Sequence, residues 1–195
     1  MPLADFKPMT FKDYLAFPEN SNIQIIDGIP YNMSPSPSRV HQKIIVELVT
    51  LINNHLKAIN SSCEVYSAPL DVIFVGENEN MFSSKDVVQP DIFVVCDKSK
   101  LSDKGVVGSP DFIIEIVSPS SASIDYVKKL NLYNHYKVKE YWIINPNNQK
   151  ILVYKLQEDK EFGPPEQFTF EDEVKIDLLD LKINFKWVKN IMDIV

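Results

Sequence analysis

Two carboxylates stand where an apolar, strand-like sequence makes them costly. Asp91 follows Gln89-Pro90 and opens the run IFVV, and Glu115 interrupts DFIIEIV between Ile114 and Ile116. Side chains alternate along an extended strand, so Asp111, Ile113, Glu115 and Val117 share one side. A carboxylate in such a strand is expensive to bury unless a cation or hydrogen-bond donors satisfy it. Two of them on neighbouring strands make a hard-oxygen site suited to Mg2+ or Mn2+. The competing reading is structural, with Asp91 capping a turn at a strand edge and Glu115 paired with a lysine.

The next helical segment offers that lysine. Ser120, Ser121 or Ser123 can cap a helix running to about Tyr136, which carries Asp125, Lys129, Tyr133 and Tyr136 on one face. From that face Lys129 can reach the strand carboxylates; alternatively, Asp125 and Lys129 are a surface ion pair. His41, near the start of the first long helix, either hydrogen-bonds into the same site or serves structure alone. Glu47, on the polar side of that helix, reads as exposed. The three histidines and two cysteines lack the spacing of a zinc site, and no GxGxxG, Walker A or GxSxG string is present.

Around these residues the sequence predicts a mixed α/β order. Thr10 and Asp13 frame a short capped helix that Pro18 ends. Asp27-Gly28 lies between two apolar stretches and signals a hairpin. Val40, Ile44, Leu48, Leu51, Ile52 and Leu56 recur at helical spacing, which sets a long helix over 38–59. Segments 63–67, 70–75, 91–96 and 111–117 read as strands, with GENENMFSSKD as a loop between them. After the second helix, EYWIIN and KILVYKL form two strands joined by a Pro-Asn-Asn turn. One or two more strands fall between Gln167 and Ile183, before a short helix holding Trp187, Ile191 and Met192.

Composition bounds the class. A chain of 195 residues, 45% hydrophobic, has enough apolar surface for one domain with a full core. Its apolar runs of about five residues fall far short of the ~18 that a membrane-spanning helix needs. Asp5 and Lys7 interrupt the N-terminus where a secretory signal is apolar. Cys63 and Cys96, without CxxC spacing, read as buried free thiols in a reducing compartment, which places the protein in the cytoplasm. Net charge is -7, yet residues 125–155 hold six lysines against two acidic side chains. That block is either a patch for phosphates or a solvated helix face. With Arg39 as the chain's one arginine, bidentate reading of guanine is scarcely available.

The blocks QPDIFVV, SPDFIIEIVSPSS, D-x3-K-x3-Y and KEYWIINP, in this order between about residues 10 and 157, resemble the Uma-type restriction-endonuclease family of the PD-(D/E)XK nuclease superfamily. The resemblance implies an α/β (α+β) fold, a four-stranded mixed sheet flanked by helices, with residues 1–195 as one nuclease-like domain. It implies a Mg2+-dependent (or Mn2+-dependent) endonuclease hydrolysing DNA, with Asp91, Glu115 and the carbonyl of Ile116 as metal ligands. The lysine of the ExK pattern is replaced by Val117, and Lys129 stands where relatives carry it on the following helix. There it would orient water and stabilise charge on phosphorus. The family's early tyrosine-glutamate pair is Ile23-Gln24 here, so Gln24 takes the place of an accessory acid, and His41 matches a histidine often found at its helix start. DNA is the implied partner, as a homodimer, since cutting both strands takes two sites; no membrane is involved. The alternative is a catalytically silent nucleic-acid or protein-binding module that keeps the nuclease core, which Gln24 and the acidic charge favour.

Overall fold

The computed structural model describes residues 7–18, 21–33, 37–119 and 121–192. Ser120, one of the three candidate caps, and the first six residues of the N-terminal stretch lie outside them. Thr10 accepts the Asp13 N–H and Asp13 returns the bond to the Thr10 backbone, a capping box that starts α1 (Phe11–Tyr14). Next, β1 (Ile23–Ile26) and β2 (Ile29–Asn32) form the expected hairpin. Its turn puts both Asp27 and Gly28 at positive φ, and a Cβ on Gly28 would stand 2.4 Å from that of Pro8. Ser38 caps the 20-residue α2 (Arg39–Ala58).

Short strands follow: β3 (Glu64–Ser67), β4 (Val72–Phe74), β5 (Asp86–Val88), β6 (Ile92–Val95), β7 (Leu101–Ser102) and β8 (Gly105–Val107). The longer β9 (Phe112–Ile116) leads through a serine-rich loop into a π-helical turn (Ile124–Lys129) and α3 (Leu130–His135). Then come β10 (Glu140–Asn145), β11 (Lys150–Lys155), β12 (Glu166–Thr169), β13 (Glu173–Ile176), β14 (Leu181–Asn184) and α4 (Lys186–Met192).

Two six-stranded mixed sheets result, ordered β2-β1-β5-β4-β8-β7 and β12-β11-β10-β9-β6-β3, and β13 and β14 pair separately. The four-stranded expectation therefore undercounts. Strands β5, β7 and β8 are two or three residues long, too short for alternation to show in sequence. The segment read as a loop ends in β5, and just before it the buried Ser84 hydroxyl donates to the Phe74 carbonyl (2.5 Å).

The second sheet carries the site. On one face Ile92, Phe112, Ile114 and Trp142 pack against Ile44, Leu48 and Ile52 of α2. On the other, Phe93, Ile113, Tyr141 and Ile143 meet Val72, Phe74 and Val88 of the first sheet and Tyr133 of α3. The cysteine reading is overturned: Cys63 and Cys96 form a disulfide, so neither is a free thiol. Pairing of Glu64 with Val95 across β3 and β6 sets them opposite one another at the next position. The premise for a reducing compartment goes with it. Among the described residues no helix is long and apolar enough to cross a membrane.

Candidate active site

The register of β6 and β9 brings the two carboxylates together. Ile92 pairs with Ile114 and Phe93 with Ile113 in antiparallel fashion, and one further step sets Asp91 opposite Glu115. The Asp91 N–H donates to Glu115 Oε2 at 3.4 Å, and the Ile116 N–H donates to Asp91 Oδ2 at 2.7 Å. Asp111, assigned to the same strand side, is instead engaged away from the pair: it accepts the Cys96 N–H (2.8 Å) and pairs with Lys139.

The helical segment supplies the cation. Lys129 Nζ lies 2.8 Å from Glu115 Oε1 and 3.6 Å from Asp125 Oδ1, and the Tyr133 hydroxyl donates to the same Oε1 at 2.7 Å. Asp125 and Lys129 are thus not a surface pair; their side chains are 3% and 7% exposed, and that of Glu115 only 2%. They sit on the π-helical turn, a local widening frequent at functional sites. Tyr136, farther along, bonds Asp86 (3.0 Å) and takes no part. From the N-terminus of α2, His41 Nε2 comes within 3.2 Å of Asp91 Oδ2.

His41, Asp91, Glu115, Asp125 and Lys129 open onto one cavity of about 800 Å3, which Gln24 and Gln89 also line. Gln24 is buried in β1, and among the described residues its Oε1 has no hydrogen-bond partner; the same is true of His41 Nδ1. Sequence reasoning missed two supports. Gln89, beside the Asp91 motif, donates to Asp71 Oδ1 (2.8 Å), which also takes the Tyr14 hydroxyl (3.0 Å). Tyr141, in the KEYWIIN block, donates to the Asp125 carbonyl (3.0 Å) and so ties the π-helical turn to β10.

Residues 10–186 match the Uma2 family, described as "Putative restriction endonuclease". The chain belongs to the Uma2 family. An uncharacterised protein from Synechocystis is 26% identical over 164 residues, which cover 83% of this chain and 81% of the relative. A crystal structure described as "a putative nuclease belonging to DUF820", from Anabaena variabilis, matches with a TM-score of 0.72 at 23% identity, covering 93% of this chain and 99% of that one. The shared fold is the restriction-endonuclease-like one expected from the four sequence blocks.

Charge in this Uma2 site is unbalanced: three carboxylates, Asp91, Glu115 and Asp125, surround one ammonium. Burial, offset in part by Lys129 and reinforced by Asp91 and Asp125, pushes Glu115 up to about 8. Burial likewise raises Asp125, against Lys129 and a hydrogen bond from Ser121. Burial works against the Lys129 charge, but Glu115, Asp125 and Asp91 more than compensate and hold it above an ordinary lysine. For His41, burial is outweighed by Asp91, the Ile116 carbonyl and Glu115, and its value is raised. Tyr133 is raised well above the ordinary tyrosine by burial and by Glu115, so it stays a donor.

A divalent cation suits this Uma2 donor set. Among the described residues no three His, Cys, Asp or Glu side chains cluster as metal ligands. What is present is two carboxylates with neutral oxygens, the orphaned Gln24 Oε1 and the Ile116 carbonyl, which favours hard Mg2+ or Mn2+ over zinc.

The lysine-rich block does not form one patch. Lys137 pairs with Glu161 (2.9 Å), Lys139 with Asp111 (2.7 Å), and Lys155 with Glu166 and Asp177 (2.8 and 2.7 Å). Because β10 runs parallel to β9 and β11 antiparallel to β10, Lys139 and Lys155 lie at the sheet end opposite to Glu115. Arg39 donates to the Ile191 carbonyl (3.0 Å).

Proposed function

We propose that this Uma2-family protein is a divalent-metal-dependent endonuclease that hydrolyses DNA phosphodiester bonds, with residues 1–195 forming one nuclease domain that works as a homodimer on duplex DNA. The observation that carries the reading is the meeting of Asp91 and Glu115 across β6 and β9, with Lys129 bonded to Glu115, at a cavity holding an unpartnered amide oxygen. Membership of a family described as "Putative restriction endonuclease" supports it.

Asp91, Glu115 and the Ile116 carbonyl would hold Mg2+ or Mn2+, with Gln24 Oε1 as a neutral accessory oxygen. When bound, such an ion polarises a phosphoryl oxygen and makes an attacking water more acidic. His41 and the Ile116 N–H both engage Asp91 Oδ2, which leaves Oδ1 for other partners. Lys129 keeps a permanent positive charge beside Glu115, where an attacked phosphate would gain negative charge.

A second reading has its own observation. Lys129 already neutralises Glu115, and an amide stands at Gln24, as a silent binding module would have it. Titration with Mn2+ by calorimetry and nicking of plasmid DNA separate the two. An active enzyme binds Mn2+ and nicks, and Asp91→Ala abolishes both. Unchanged Mn2+ affinity in Asp91→Ala ends the metal assignment, and DNA binding without cleavage in any divalent metal favours the silent module.

A further inference from the structure

The donors on Glu115 are distributed unevenly. Lys129 Nζ (2.8 Å) and the Tyr133 hydroxyl (2.7 Å) both address Oε1, while among the described residues Oε2 takes only the long 3.4 Å bond from the Asp91 N–H. A lysine ammonium is a point charge on a flexible stem and does not by itself choose between two carboxylate oxygens. A packed tyrosine does. The Tyr133 ring is fully buried, set edge-on against Tyr141 with centroids 4.9 Å apart and 5.8 Å from Phe74. Tyr141 is itself fixed by its bond to the Asp125 carbonyl. The hydroxyl position of Tyr133 is therefore set by the core.

We infer that Tyr133 is a positioning residue: its hydroxyl anchors Glu115 through Oε1 and so keeps Oε2 turned toward Asp91 and available to a divalent cation. This rests on the metal site proposed above. It also accounts for how one lysine can serve two anions. Were Lys129 to turn from Glu115 toward a substrate phosphate, Tyr133 would still hold the carboxylate in place. Partners of this kind, one bond removed from a metal, typically change affinity by about 10–100-fold when lost.

Calorimetry with Mn2+ on the full chain tests this, with metal-free melting and near-ultraviolet dichroism reporting the fold. Tyr133→Phe keeps the ring packing and removes only the hydroxyl, so Mn2+ should bind about 10-fold or more weakly. Tyr154→Phe is the control, since that ring stacks on Tyr141 at 6.1 Å and is not among the donors to Glu115. Its Mn2+ affinity should match the wild type. A measurement on the unmodified protein covers the case in which Tyr133→Phe does not fold. The buried Tyr133 hydroxyl proton, followed by NMR, should persist when Mg2+ is added. Its loss on Mg2+ binding, or unchanged Mn2+ affinity in folded Tyr133→Phe, overturns the positioning role. If Asp91→Ala loses Mn2+ while Tyr133→Phe retains it, only this inference falls; if the wild type binds no Mn2+, the proposed function falls with it.

Discussion

Glu115 and Glu140 are both buried carboxylates on adjacent parallel strands, three residue pairs apart, yet they are satisfied in opposite ways. Glu140 lies on the face that packs α2. Its Oε1 accepts the Trp142 indole N–H (2.7 Å), and its Oε2 accepts the backbone N–H groups of Asp177 (3.1 Å) and Leu178 (3.4 Å). Neutral donors fixed in the fold thus engage both oxygens. Glu115 lies on the other face, doubly held at Oε1 and nearly free at Oε2, beside a cavity with an orphaned amide oxygen. One carboxylate fastens the C-terminal segment to the sheet; the other faces the cavity with one oxygen weakly engaged. Burial alone does not tell them apart. What their oxygens lack does.

The largest effect should come from removing the lysine bonded to Glu115. Lys129→Ala removes the ammonium beside the buried Glu115 and Asp125, and where both are ionised, above about pH 8, this costs about 3–5 kcal/mol of stability. Loss of its charge at the transition state should cut DNA cleavage by ~10²-fold or more. Lys128→Ala, an exposed neighbour, should change neither. Val117 lies on the Glu115 face, so adding Val117→Lys to Lys129→Ala should restore part of the activity. Cleavage assays with melting curves decide this, and an essential Lys128 would contradict the role given to Lys129.

Glu140→Ala sharpens the contrast. It strands the indole N–H and two backbone N–H groups and should cost about 1–3 kcal/mol by urea unfolding. Mn2+ affinity should not change. A weakened Mn2+ response in this variant would mean that the two faces are coupled.

The same contrast sets a pH dependence. Folded Glu115 keeps its proton up to about 8, whereas an ordinary glutamate loses it near 4.5. Between those values the folded state binds more protons than the unfolded one. Metal-free stability from this group is therefore fullest below 4.5 and is lost as pH rises toward 8. Glu140 and Asp125, also raised by burial, add to the same sign. Glu115→Gln should flatten this decline, raise the metal-free melting midpoint near pH 8, and abolish Mn2+ binding. If the two proteins show parallel melting profiles from about pH 5 to 8, Glu115 does not carry the proton assigned to it.

Much of the site was legible because it depends on short-range patterns. Period-two alternation put Glu115 with Ile113 and Val117, Asp91 headed its strand, and helical spacing put Asp125, Lys129 and Tyr133 on one face. What escaped depends on pairings between distant segments. The Cys63–Cys96 bridge follows from the register of β3 against β6, which spans 33 residues and leaves no trace in local composition. Strands β5 and β8, three residues each, gain their identity from neighbours rather than from propensity. The lysine block looked like a patch because sequence shows charges but not their partners, and Glu161, Glu166 and Asp177 come from downstream segments.

That last point yields the smallest expected effect. Lys137, Lys139 and Lys155 are held in ion pairs, of which the exposed Lys137–Glu161 pair contributes on the order of 1 kcal/mol or less. Changing all three to Gln should leave DNA affinity and its salt dependence as they were. Lys150 is different: it pairs with Asn145 where β10 ends and β11 begins, at the Glu115 end of the sheet. Each lysine that neutralises a phosphate contributes about 0.9 to the slope of log affinity against log salt. Lys150→Gln should therefore lower that slope by about one, and the triple variant by none. Gel shifts across ionic strengths give both numbers. A drop of two to three in the triple variant would return the whole block to the DNA interface and put the binding face at the Glu140 end.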